Sequence, residues 1–100
     1  MKKNYNTHAA NWWAEKIQGS EAGPVHGLDL FVEDLSSQIK TLSNINGSVV
    51  ISTYGSSSNL LDEIAFRSGL SAKIPSGYEM KIILGNVWVY NPSGMLIASF

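Results

Sequence analysis

Apolar and polar positions recur along this chain with two different periods, and the change of period divides it into helices and strands. The first periodic stretch follows Asn6 and Thr7, a pair suited to capping a helix N-terminus. Within it Ala9, Trp13 and Ile17 recur four apart and form one apolar stripe. Trp12 lies about 100° round the helix from Trp13, so the stripe predicts Trp13 in the core and Trp12 as an exposed ring or a subunit contact. A loop is expected over 18–24, where Gly19, Gly23 and Pro24 interrupt any helix. The second helix has the strongest pattern: Leu28, Phe31, Val32, Leu35, Ile39 and Leu42 share one face, with Glu33, Asp34, Ser37, Gln38 and Lys40 on the other. Asn44-Ile45-Asn46-Gly47 ends it with residues that tolerate positive φ.

The period then shortens. Ser48 to Tyr54 is rich in β-branched residues and predicts a strand, whose unbroken Val49-Val50-Ile51 centre suits burial on both faces. Gly55-Ser56-Ser57-Ser58 leads into a third helix with Asn59 as cap, Leu60, Leu61, Ile64 and Ala65 on the buried side, and Gly69 as stop. The last third predicts three strands: 78–84, 87–90 and 95–100. They are joined by a two-residue turn at Gly85-Asn86 and a second turn at Asn91-Pro92-Ser93-Gly94. The expected fold is α+β, a single small domain over residues 1–100 in the order ααβαβββ, with a C-terminal antiparallel meander packed against helices. Strand one and strand two fit either a right-handed parallel crossover or an antiparallel pair.

Composition narrows the chemistry. The chain has 100 residues, no cysteine, 15% charged residues and a net charge of −1. That length holds one domain. The absence of cysteine removes disulfides, thiolate metal sites and a cysteine nucleophile. Near-neutral charge argues against a nucleic-acid polymer as partner, because phosphate contacts need clustered Lys and Arg. Ten aromatic residues beside seven basic ones favour binding through neutral surface. No apolar run approaches the roughly 20 residues of a bilayer span, and no apolar stretch follows Lys2 and Lys3 as in an export signal. A cytoplasmic protein with no membrane partner is expected.

Four groups of residues are candidates for function. Tyr54, Gly55, Ser56, Ser57, Ser58 and Asn59 run from a strand into a helix, where unpaired N–H groups and hydroxyls suit an anion. Judged alone, the loop fits a plain helix cap by Ser57, Ser58 and Asn59 better than a ligand site. The run is no Walker A loop, and it misses the G-x-S-x-G elbow because Asn59 replaces the closing glycine. In that elbow fold the histidine follows the serine, whereas His8 and His26 precede this run.

The aromatics form the second group. Trp88 and Tyr90 share one strand face and Val87 and Val89 the other: with the valines inward the rings point out to stack on a base or a partner, and with the valines toward solvent Trp88 lies in the core. Among the basic residues, Arg67 and Lys81 are those to watch for a phosphate beside the serine run. The carboxylate pairs Glu33-Asp34 and Asp62-Glu63 diverge on helices, and the two histidines lack carboxylates at metal spacing. No catalytic residues, metal ligands or cofactor are expected.

Some of these features occur together. The Ala10-Asn11-Trp12-Trp13-Ala14 block, the helix closing in Ser68-Gly69-Leu70, and the Ile74-Pro75-Ser76-Gly77-Tyr78-Glu79-Met80 segment resemble a group of small phage and prophage accessory proteins. That group has an early double tryptophan and a late hydrophobic-Pro-x-x-x-x-Met segment. The resemblance implies a non-enzymatic phage-type accessory protein acting in the host cytosol. Its first implied role is anti-defence, by sequestering a nucleotide-derived immune signalling molecule. The alternative is a protein-binding inhibitor of a host defence effector such as a nuclease. The expected ligand-binding set is Tyr54, Gly55, Ser56, Ser57, Ser58, Asn59, Arg67, Lys81, Trp12 and Trp88. Homo-oligomerisation is expected through Trp12 or through an open sheet edge near Phe100.

Overall fold

A computed structural model describes residues 4–54 and 59–100, Asn59 by its backbone alone. The described elements are α1 (Tyr5–Gly19), α2 (Leu28–Asn46), β1 (Ser48–Ser52), α3 (Asn59–Ser68), β2 (Glu79–Ile83), β3 (Asn86–Tyr90) and β4 (Leu96–Ser99). Their order is the one the periodicity predicts. None of the described helices is long and apolar enough to cross a membrane.

The sheet has strand order β1-β2-β3-β4, and every neighbouring pair is antiparallel. Thr53 decides the relation of β1 to β2, which the pattern left open. Its N–H donates to the Tyr78 carbonyl at 2.8 Å, and its own carbonyl accepts from the Gly77 N–H at 2.8 Å. Its hydroxyl oxygen accepts from the Tyr78 N–H at 3.1 Å. The start of β2 is thereby tied to the end of β1, so β2 runs back along it. Helix α3 is an excursion between antiparallel neighbours, not a crossover.

All three helices contribute to one core with the inner face of the sheet. Trp13, Ile17, Phe31, Leu35, Ile39, Leu61 and Ile64 meet Val49, Ile51, Met80, Ile82, Val87 and Val89, all buried. Close approach of α2 and α3 depends on Gly27. At φ 81° it sits where a Cβ would lie 2.5 Å from the Ser68 carbonyl oxygen, so no side chain fits.

Four expectations are corrected. Trp12 is buried, at 7% exposure. Its ring meets Trp13 edge-on at 5.0 Å and Tyr78 at 5.4 Å, with the Lys16 ammonium 5.5 Å from its centroid. The segment leading into β2 covers the flank of α1 that an isolated helix would expose, so both indoles are interior. Asn6 and Thr7 do not cap α1, which begins at Tyr5 with Asn4 at φ 61°. Asn6 instead donates to the Ser36 carbonyl and hydroxyl at 3.1 and 2.9 Å, and the Thr7 hydroxyl lies 3.2 Å from that of Ser36. These bonds tie α1 to α2. Strand β1 is not covered on both faces: it is an edge strand, and Val50 is 59% exposed. Finally, Ile83 pairs with Asn86, so the β2–β3 turn is Leu84-Gly85, at φ 50° and 80°. Positive φ at both central positions is the hairpin-favoured geometry, here one residue earlier than predicted and with a leucine in the left-handed region.

Candidate functional site

Alternation along the strands sorts their side chains onto two faces. Val87 and Val89 are fully buried, so Trp88 and Tyr90 point outward, as the valines-inward alternative requires. Cross-strand register arranges the outer face in rows. One runs Val50, Lys81, Trp88, Ser99, and the next Ser52, Glu79, Tyr90, Leu96. Lys81 bridges the rows: its ammonium lies 3.9 Å from the Glu79 carboxylate and 5.5 Å from the centroid of the Tyr90 ring.

The second row opens into a groove of about 460 Å³ at the end of the sheet. Ser52, Glu79 and Tyr90 line its strand side, and Tyr54, Asn91, Ser93 and Gly94 complete it. Two interactions hold that wall. The Tyr54 hydroxyl donates to the Pro92 carbonyl at 2.9 Å, joining the exit of β1 to the β3–β4 turn. The Asn91 carboxamide oxygen accepts from the backbone N–H groups of Ser93 and Met95 at 2.9 and 3.0 Å, which fixes the turn. The groove therefore presents two phenol rings, one carboxylate, hydroxyls and an amide, with a lysine ammonium at its margin. Such a set stacks planar rings and hydrogen-bonds their substituents.

The residues singled out in the sequence divide among different places. Tyr54 lines the groove, while Lys81 and Trp88 lie on the same outer face in the adjoining row. Gly55, Ser56, Ser57 and Ser58, and the side chain of Asn59, lie outside the described residues. Arg67 is elsewhere. It is eight residues beyond Asn59 on α3, a separation of about 12 Å along a helix axis. Its guanidinium binds Asp34 through Nε and Nη2 at 3.0 and 3.1 Å. Trp12 is in the core, and its expected part in a binding surface is withdrawn with its exposure.

The histidines have local roles. His8 stacks on Phe100 at 6.2 Å, and the backbone of His26 exchanges hydrogen bonds with Ser71. Among the described residues no three His, Asp or Glu side chains gather as a metal site would need.

Ser52, Glu79, Asn91, Ser93 and Gly94 join the groove without having been singled out. Asn91-Pro92-Ser93-Gly94 was legible as a turn. Its position beside Tyr54 follows only from strand order, because β1 and β3 are not adjacent and β2 lies between them. Comparison with known proteins finds no family model that matches the chain, no matching curated protein and no matching solved structure.

Proposed function

We propose that this is a non-catalytic binding protein whose groove captures a small phosphate-bearing nucleotide, as an anti-defence protein sequestering an immune signal would. The observation that carries the reading is the pair of phenols, Tyr54 and Tyr90, lining a groove of about 460 Å³. That volume falls within the roughly 300–1,000 Å³ of small-molecule sites. A base stacks on a phenol face, and Glu79, Ser52, Asn91 and Ser93 supply acceptors and donors for a sugar and the base edge. Lys81 supplies positive charge at the margin. The serine run follows Tyr54 directly in the chain, and its hydroxyls suit phosphate. Glu79 is the one carboxylate among the described groove residues, and no histidine lines the groove beside it, which favours binding over acid–base chemistry.

Calorimetric titration against cyclic and ADP-ribose-type nucleotides tests this. Binding is expected for at least one, weakened about tenfold or more by Tyr90→Ala, given roughly 1–3 kcal/mol per stacked base. No heat with any nucleotide overturns it. One observation favours the second reading, a protein-binding inhibitor: Val50, Ile83 and Leu96 expose apolar surface on the face that carries Trp88. Under that reading nucleotides give no heat, and a host defence protein is retained by the wild type and lost with Trp88→Ala.

A further inference from the structure

The two edges of the sheet are built differently. Strand β4 has four residues, and its pairing with β3 shifts register between Val89 and Tyr90, leaving Ile97 without a partner on β3. A bulge of this kind blunts an edge. Strand β1 has five residues in unbroken register with β2. Its sequence, Ser48-Val49-Val50-Ile51-Ser52, contains no charge and no proline, so neither charge, proline nor a bulge blunts this edge.

The flanking bonds show which β1 groups face outward. The Gly47 carbonyl accepts from the Leu84 N–H at 3.4 Å, and the Thr53 N–H donates to the Tyr78 carbonyl at 2.8 Å. Backbone groups of successive strand residues turn alternately to the two sides. Val49 and Ile51, in step with Gly47 and Thr53, bond toward β2. Ser48, Val50 and Ser52 turn their N–H and C=O groups to the open side, where no bond to another described element is present.

We infer that two copies of this chain pair through β1, antiparallel and centred on Val50. A two-fold contact requires a surface complementary to itself, and these five residues read almost identically in both directions. Centring on Val50 sets it opposite Val50 of the partner subunit, Ser48 opposite Ser52 of the partner subunit, and Val49 opposite Ile51 of the partner subunit. Aliphatic residues then meet aliphatic residues and serines meet serines, the match cross-strand pairs favour. The three outward-facing residues form hydrogen-bonded pairs of two bonds each. Val49 and Ile51 stay on the inner face in both copies. The result is one continuous sheet made from two four-stranded sheets. This edge replaces Trp12 and the edge near Phe100 as the self-association surface. The inference is independent of any ligand in the groove.

Light scattering over a concentration series tests it. The wild type is expected to move from 10.9 kDa toward twice that mass as concentration rises. Val50→Pro removes an N–H that β2 does not use, so it should keep its circular dichroism and remain at the single-chain mass. Val50→Lys, which keeps the backbone and sets like charges face to face, should do the same. Because the chain has no cysteine, Val50→Cys introduces a single thiol. Paired positions of this kind hold Cα atoms about 5.5 Å apart, within disulfide reach. Mild oxidation should link Val50→Cys into a covalent dimer and leave Ser99→Cys, on the β4 edge, a monomer. A wild type that stays single at millimolar concentration overturns the inference. So does a folded Val50→Pro or Val50→Lys that still dimerises, or a Ser99→Cys that links as well as Val50→Cys.

Discussion

The two faces of the sheet are made from interleaved residues of the same strands and have opposite fates. On the inner face Val49, Ile51, Met80, Ile82, Val87 and Val89 are buried against the helices. On the outer face Val50, Lys81, Ile83, Trp88 and Tyr90 meet solvent to differing degrees. An antiparallel sheet covered on one side ordinarily alternates apolar inward with polar outward. Here the outward set keeps two partly buried aromatic rings, Trp88 and Tyr90, and several exposed aliphatic side chains. Stability resides on the first face, and the exposed apolar surface of the second is what the proposed binding would use.

Like residues on opposite sides of this divide make the comparison breakable. Trp13→Ala should destabilise by about 3–5 kcal/mol, whereas Trp88→Ala should cost about 1 kcal/mol or less, since its ring lies on the outer face. Equal losses in urea unfolding would show the outer face to be structural. Next in size are the neighbours Ile82 and Ile83, fully buried and 42% exposed. Ile82→Ala should cost about 2–5 kcal/mol and Ile83→Ala about 0.5 kcal/mol; a reversal would mean that the register of β2 is slipped by one residue. The smallest effect concerns the turn that joins the strands. Leu84→Asn relieves a leucine at φ 50° and creates an Asn-Gly pair. It should raise stability by about 1 kcal/mol or less, visible as a higher melting temperature. A lower one would mean that the Leu84 side chain contributes contacts that outweigh the strain.

Much of the fold was legible because local periods are local physics. The 3.6-residue stripe of α2, the β-branched run of β1, and the glycine and asparagine residues between strands each bias a short segment without reference to the rest. The site was legible only in fragments. Tyr54, Trp88, Tyr90 and Lys81 were candidates by type, but that Lys81 rests over Tyr90 follows from the register of the β2–β3 hairpin, and that Glu79 lies beside Ser52 from the pairing of β1 with β2 across the whole α3 excursion. Trp12 shows the same limit from the other direction. A helical stripe predicts one buried side, and Tyr78, just before β2, supplies a second cover that no helical period contains. Arg67 was a phosphate candidate by its charge, while the structure pairs it with Asp34 of another helix.

Residue order was thus sufficient for the succession ααβαβββ, the single domain, the absence of thiol chemistry and the pairing of Val87 with Val89 and of Trp88 with Tyr90 on shared faces. Periodicity states that a strand has two faces and a helix a stripe, and it is silent on which surface another element will cover. The tertiary structure made that choice. The Thr53–Tyr78 ladder made β2 antiparallel and left β1 at an edge, and the helices packed on the valine side only. Burial depends on what packs against a residue as well as on the residue, so the tyrosine groove and the open edge of β1 came into view only once the neighbours were in place.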